Sequence, residues 1–442
     1  MSNSKKGLKI GHYRITPLGI GVFAALIAIV ALLVVLLIVN PFSDPEAQRV
    51  GGSQVSTTPT PTPDATATPK PTAVPTPTPA PRSATIRALG EIAIETDLLK
   101  SAFNETDSTF DFSSMFSEIA DVMGDADYTI ADVEGTLGDT LGISGNGAKM
   151  YTPSSILTAL KDCGVDMMML ANDHALDGGF AELQATVKNV ADAGLDYVGA
   201  AASAEEKASP VIKNINGIKV GFVAYCESMN GNENGVDPAA LAYGVNLISN
   251  SNAASDIQNL RSAGAEVIIA CVNWGQMFNR DLTSSQQQIA YVLTSLGVDV
   301  IIGYNPHTVQ PMMWLEAPAA DGSGVINKTL CLCATGNFLS NQRNQYFDCG
   351  VVFEFTIQES ADGSFSITNP AYIPTYVWRY EREDSAEGSP VYDYRTLAAG
   401  RWTDENASDM PEGMAYADLQ TMGSIWSEMQ KIIGDVATIE RE

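Results

Sequence analysis

Residues 154–179 read SSILTALKDCGVDMMMLANDHALDGG. An amphipathic helix over 154–163 stops at Gly164, and an acidic residue, Asp166, follows two positions later. The apolar run MMML then makes a strand, and the polar cluster Ala171-Asn172-Asp173-His174 closes the unit. The glycine suits a helix C-cap. A short apolar run without alternation suits a strand covered on both faces.

The unit recurs along the chain. Residues 180–193 lead to Gly194, Asp196 and a short strand ending at Gly199. Residues 252–263 lead to Gly264, Glu266, the run VIIACV and then Asn273-Trp274-Gly275. Residues 284–296 lead to Gly297, Asp299, the run VII and then Gly303-Tyr304-Asn305-Pro306-His307. Helices and strands alternating in this way predict an α/β fold with helices flanking sheets. In such folds ligands bind where loops leave the carboxyl ends of strands, and three of the polar clusters fall there.

The chain has only three histidines. His12 precedes a long apolar segment, whereas His174 and His307 both sit in strand-end clusters, which makes a shared site of them. Two upstream strands end in carboxylates. Residues 85–89 run into Gly90-Glu91, and 128–133 run into Glu134-Gly135, giving Asp132-Val133-Glu134. Neighbouring carboxylates at strand ends suit hard cations or acid–base work, and they equally suit a solvated loop. Further on, Asn337 follows the strand LCLCAT, with Arg343 six residues later. Both could orient an oxyanion in a polar cleft or stabilise a turn.

Outside these units the chain is organised simply. Residues 1–16 carry Lys5, Lys6, Lys9 and Arg14, and 18–39 is apolar with no charged residue. That length spans a hydrocarbon core of roughly 30 Å, and it exceeds the apolar region of a cleaved signal. A transmembrane helix over 17–40 is expected, with the basic end cytoplasmic and everything after it outside. Residues 41–83 are a Thr/Pro-rich linker, an extended spacer. A globular domain follows over 84–384, and 385–442 is an acidic extension. A helix is expected there, with Leu419, Met422, Ile425, Trp426, Met429, Ile432, Ile433 and Val436 on one face, packed on the domain.

Lys and Arg number 25 against 52 Asp and Glu, and only Asp44, Glu46 and Asp64 precede residue 84. So acidic a domain excludes nucleic-acid binding by bulk charge and favours cations over polyanions. Six cysteines occur, four of them (Cys226, Cys271, Cys331 and Cys333) in apolar runs. No CxxC or Cys/His cluster is present, so free buried thiols are expected and a zinc–thiolate site is not.

Taken in order, these clusters resemble the CapA family, the bacterial capsule-synthesis proteins associated with poly-γ-glutamate. The family pattern LANNHxxDxG stands here as Leu170-Ala171-Asn172-Asp173-His174-Ala175-Leu176-Asp177-Gly178-Gly179. HWGxE stands as Asn273-Trp274-Gly275-Gln276-Met277, and IGxHPHxxQP as Ile302-Gly303-Tyr304-Asn305-Pro306-His307-Thr308-Val309-Gln310-Pro311. SLGNFxSNQR stands as 334–343, ATGNFLSNQR, and a closing YIPTYVWRY covers 372–380. The resemblance implies a calcineurin-like metallophosphoesterase-type α/β/β/α sandwich over about 86–395.

It also implies a metal site at Glu91, Asp132, Glu134, Asn172, Asp173, Asn273, Asn305 and His307, with His174 as catalytic proton donor. The departures are Glu91 for the family's Asp, Asp132 for Asn, Asp173 for Asn, Asn273 and Asn305 for histidines, and Met277 for the glutamate of HWGxE. Two imidazoles are lost and oxygen donors take their place, which suits magnesium, manganese or calcium over zinc, or no metal at all. Three functions remain open on this reading. One is a membrane-anchored component of capsule or poly-γ-glutamate synthesis or export, with a degenerate site. Another is an active metal-dependent phosphoesterase or other hydrolase, or an amide-ligating enzyme. The last is a pseudoenzyme that binds polymer or a partner. The partners implied are the membrane, capsule-synthesis proteins and an anionic polymer.

Overall fold

The computed structural model describes residues 8–10, 13–15, 80–140, 142, 144–146, 148–382, 385, 390–434 and 437–438. The chain divides into units Met1–Thr76 and Pro77–Glu442. In the first, the described residues form a hairpin, with Leu8 opposite Ile15 and Ile10 opposite Tyr13. The expected transmembrane helix at 17–40 and nearly all of the linker lie outside the described residues. Among the described residues, no helix is long and apolar enough to cross a membrane.

The second unit is a mixed α/β structure built on two sheets. One contains β1 (Ser83–Ile92), β2 (Tyr128–Val133), β3 (Met167–Met169) and β4 (Asp196–Val198). The other contains β5 (Val211–Ile215), β6 (Ile218–Cys226), β7 (Val267–Asn273), β8 (Val300–Tyr304), β9 (Met312–Pro318) and β10 (Ile326–Leu332). The chain then returns to the first sheet with β11 (Asn337–Leu339), β12 (Cys349–Glu359), β13 (Phe365–Glu381) and β14 (Tyr392–Ala398). The first sheet runs β4-β3-β2-β1-β12-β13-β14, with β11 beside β1, and the second runs β5-β6-β7-β8-β10-β9. Strands β1 to β4 are mutually parallel, as are β6, β7, β8 and β10.

Successive side chains of a strand alternate between faces, and here both faces are covered. Met167 and Met169 enter a core shared with Val220, Phe222, Ile269 and Ile302 of the second sheet. Met168 turns the other way, onto Ile156, Leu157 and Leu160 of helix α1 (Ser155–Asp162) and Val187 and Val190 of α2 (Phe180–Asp192). On the far side, Ile268, Ala270 and Ile301 pack against α3 (Asn250–Ser262) and α4 (Ser284–Ser295). The result is helix, sheet, sheet, helix. Each fully buried Leu, Ile or Val stabilises this stack by about 1.5–3 kcal/mol.

The repeated glycine-x-acid signature has a physical explanation. At Gly164 φ is 91°, and the next amide, Val165, donates to the Leu160 carbonyl at 3.1 Å, closing α1. Asp166 then bonds reciprocally with the neighbouring strand. Its backbone N–H donates to the Thr129 carbonyl at 2.9 Å, and its carboxylate accepts from the Thr129 N–H at 2.8 Å. Asp299 does the same with Ile268, and Glu266 with Lys219. Each acid pins the start of a parallel strand to its neighbour.

The boundary expected at residue 384 is corrected. β14 lies beyond it yet pairs with β13, Val377 opposite Thr396, so 392–398 belong to the sheet. The expected C-terminal helix is α5 (Tyr416–Ile433), whose Leu419, Met422, Ile425, Met429 and Ile433 join the inter-sheet core cluster.

Candidate functional site

Parallel strands of both sheets aim their carboxyl ends at one edge, and all the polar clusters meet there. Glu91 owes its aim to a bulge: the β1–β2 register shifts between Ala88 and Glu91, which places Glu91 opposite Asp132. Gly90 makes this possible, because a Cβ there would lie 2.5 Å from the Gly336 carbonyl, which accepts the Glu91 N–H at 2.8 Å. After β8 the chain turns sharply, with Asn305 at φ 91° and His307 at φ 55°. Non-glycine residues hold such angles only under constraint from their surroundings, a condition common at functional sites.

One half of the cluster centres on His307. Its backbone N–H donates to Glu91 Oε1 at 3.3 Å. Its Nδ1 lies 3.0 Å from both Glu91 Oε2 and Asn337 Oδ1, and its Nε2 lies 3.6 Å from Glu134 Oε1. Asn337 is held in turn, donating to the Phe347 carbonyl at 2.8 Å. Asp132 Oδ1 accepts from Asn172 Nδ2 at 2.9 Å. Glu91, Asp132, Glu134 and His307 are all fully or almost fully buried; Asp132 Oδ2 and Glu134 Oε1 have no hydrogen-bond donor among the described residues, and Glu91 Oε2 has only the His307 Nδ1 that Asn337 shares. Burial pushes the Asp132 carboxyl well above its usual range. The Asn172 bond opposes this, and Glu91 and Asp173 add to it. Burial likewise raises Glu134, against the attraction of His307. Burial disfavours the charged His307, but Glu134, Glu91 and Asn337 outweigh it and raise its pKa well above the ordinary value.

These residues fit a hard divalent cation. Glu91, Glu134 and His307 each offer a ligand atom within 4.8 Å of the other two, and the orphaned oxygens need positive charge. An oxygen-rich set with one imidazole suits magnesium, manganese or calcium.

The other half of the cluster is satisfied from within. Asp173 Oδ1 accepts from Asn273 Nδ2 at 3.3 Å and Oδ2 from Asn230 Nδ2 at 3.0 Å. Asn273 Oδ1 accepts from the Cys226 thiol at 3.2 Å. Asn305 turns its amide away, donating to the backbone carbonyls of Trp274 and Gly275 at 3.1 and 3.2 Å. Asp173, Asn230, Asn273, Asn305 and Glu227 line a cleft of about 360 Å³ beside these groups, without any Lys or Arg.

His174 lies on the same turn. Its Nδ1 is 2.7 Å from Asp177 Oδ2, and its Nε2 is 3.8 Å from Asp173 Oδ2. Burial lowers its pKa, but Asp177, Asp173 and Glu134 reverse the sign and bring it to about 9. The imidazole is therefore held charged and oriented, as a proton donor requires.

Of the residues expected from the sequence, the structure brings Glu91, Asp132, Glu134, His307 and Asn337 into one cluster. Asn172 orients Asp132, and Asp173 and Asn273 form the adjacent pair. Arg343 falls elsewhere: it donates to the backbone carbonyls of Val377 and Ser340 at 2.7 and 3.0 Å and lies over the Tyr394 ring, so it holds a turn. Four residues went unread. Asn230 and Asn232 donate to Asp173 and Asp177 from the loop after β6, where ESMNGNENG reads as a turn. Glu227 accepts from the Gly275 N–H and the Ser285 hydroxyl and so anchors the loop after β7. On that loop, Phe278 stacks on His307.

Comparison with known proteins identifies the family. The bacterial capsule synthesis protein family PGA_cap matches residues 85–342. The chain is 24% identical over 226 residues to the PGA biosynthesis protein CapA of Bacillus subtilis, covering 50% of this chain and 54% of that one. It is 25% identical over 154 residues to the capsule biosynthesis protein CapA of Bacillus anthracis, covering 34% and 37%. It thus spans about half of the first relative and about a third of the second. Among solved structures, a calcineurin-like phosphoesterase of Bacillus subtilis aligns over 80% of this chain and 99% of its own, with 14% identity and a TM-score of 0.40. The NAD nucleotidase of Haemophilus influenzae aligns over 79% and 61%, with 12% identity and a TM-score of 0.39. A family match running from β1 to the loop after β11 makes the chain a member of the PGA_cap family of bacterial capsule synthesis proteins.

Proposed function

We propose that this chain is a membrane-anchored, CapA-like component of capsule or poly-γ-glutamate synthesis or export. Its large domain works outside the cell and holds one divalent cation at Glu91, Asp132, Glu134 and His307. The observation that carries the reading is that Glu91, Glu134 and His307 converge within ligand distance, while the buried Asp132 Oδ2 and Glu134 Oε1 have no hydrogen-bond donor among the described residues. Leaving such groups unpaired costs several kcal/mol, and a cation offsets it. The anchor rests on the uncharged segment 18–39 and on the Thr/Pro spacer that follows. The acidity of the chain repels a polyanion, so an anionic polymer would meet this site through the cation.

The satisfied half of the cluster argues against two-metal chemistry, because Asp173, Asn273 and Asn305 spend their polar atoms on the protein. A second reading, metal-dependent hydrolysis with a single cation, is favoured by the His174–Asp177 pair. A bound cation would polarise a phosphoryl or carbonyl oxygen there, and His174 would supply a proton to a leaving group. The test is exchange of genes in a cell whose surface polymer depends on its own CapA. The intact chain should restore the polymer, whereas Glu134→Gln or removal of 1–40 should not. Equal polymer from all three would refute the proposal.

A further inference from the structure

The loop after β7 places an aromatic ring over the buried cluster. Phe278 is 51% exposed, yet its ring stacks on His307 at 5.5 Å between centroids and packs against Phe347 at 4.8 Å. Its φ is 61°, a conformation that a bulky residue keeps only when its neighbours impose it. One constraint is the Phe278 N–H, which donates to the Pro306 carbonyl at 2.8 Å. Another is Gln310, whose amide donates to the Asn279 carbonyl at 2.9 Å.

A further constraint comes from the C-terminal helix. Two residues beyond Phe278, Arg280 donates to Glu428 Oε1 of α5 at 2.9 Å, and its guanidinium lies 4.4 Å from the centre of the Tyr346 ring. Tyr346 precedes Phe347 and has φ 71°. Two aromatic loops therefore interlock over His307, and α5 grips them through one ion pair. Tyr346, Phe347 and Glu428 all lie after the segment matched by the family, which ends at 342.

We propose that Phe278 is a lid over the His307 cation site, and that the C-terminal helix sets how often the lid opens, through Glu428 and Arg280. The inference rests on the cation reading above and adds its regulation. Opening swings Phe278 off His307 and relaxes its backbone, with Phe347 left on its own loop. Anything that pulls on α5 changes access to the site without touching a ligand residue.

The test uses the full chain with Mn²⁺ alone as the probe, in two independent arms. The first measures equilibrium Mn²⁺ affinity and the rate of Mn²⁺ release into excess chelator. Loss of the aromatic stack in Phe278→Ala should speed release about tenfold with affinity changed less than about threefold, since entry and exit quicken together. Glu428→Gln should speed release in the same direction by a smaller factor, as should Phe278→Leu. The second arm needs no metal: carbethoxylation of His307, read by peptide mass spectrometry, should be about tenfold faster in Phe278→Ala than in the parent. His307 modified at the parent's rate in Phe278→Ala overturns the lid, whether or not Mn²⁺ binds. Glu428→Gln matching the parent in both arms overturns the role of α5. Failure of the parent to bind Mn²⁺ refutes the cation reading, and the carbethoxylation arm still decides the lid.

Discussion

The two halves of the strand-end cluster are made of similar residues and solve opposite problems. Around His307, three carboxylates are buried, and two of them, Asp132 and Glu134, have an oxygen without a donor among the described residues. Around Asp173, every carboxylate oxygen has an amide, and Asn273 takes the Cys226 thiol as well. The first half holds more buried carboxyl oxygen than the single imidazole of His307 serves, and a cation would complete it. The second is complete, and two of its amides, Asn273 and Asn305, stand where the family pattern has histidines. Replacing a ligand by a residue that can bond to its neighbours closes a metal position at no cost in unpaired groups.

The largest effect that would break this contrast is expected from Glu134→Gln. Removing one of the ligating charges should weaken Mn²⁺ binding by about a hundredfold or more. The same change removes a buried carboxylate whose charged form burial opposes, so the cation-free variant should melt higher than the parent by a few degrees. Calorimetric titration and thermal unfolding check the two signs together. A variant that binds Mn²⁺ normally would place the cation elsewhere.

The next effect is pH dependence. Asp132, Glu134 and His307 all have pKa values raised in the fold. For each, the contribution to stability is present below the unfolded pKa and lost as pH rises through the folded one. The cation-free site therefore grows less favourable from about pH 4 upward for the carboxyls and from about pH 6.5 upward for His307, while a cation competes better as protons leave. Affinity for Mn²⁺ should climb between pH 5.5 and 8.5 by up to about tenfold per unit for each proton displaced. The slope should flatten in Glu134→Gln, and a flat profile in the parent would break the link between the raised groups and the cation.

The smallest effect belongs to the satisfied half. Asn273→Ala removes an amide that serves only Asp173 and Cys226, and should change Mn²⁺ affinity by less than about fivefold while lowering stability by about 1–3 kcal/mol for the bonds lost. A loss of binding as large as that of Glu134→Gln would mean that both halves share the ion.

Much of this architecture was legible in the sequence because it repeats. The spacing of glycine, acid and apolar run at Gly164, Gly264 and Gly297 encodes a helix end, a strand pin and a buried strand in one local signal, so helices, strands and the strand-end position of His174 and His307 could all be read. The contrast between the halves was not legible. It depends on where an amide points, and Asn305 turning to Trp274 and Gly275 is a property of the turn after β8. Asn230 and Asn232 were hidden for a different reason. A loop rich in Asn and Gly reads as a turn whatever its side chains do, and only the meeting of two sheets brings it onto Asp173 and Asp177. Arg343 shows the reverse case, a charged residue beside a recognisable motif whose partners are the carbonyls of Ser340 and Val377.

The contrast reduces to a count of ions. The full chain, equilibrated with excess Mn²⁺ at about pH 8 and freed of weakly held metal by gel filtration, can be assayed for metal per polypeptide by elemental analysis. One tightly held ion per chain, lost in Glu134→Gln and kept in Asn273→Ala, is the result expected here. No ion, or two, would contradict it.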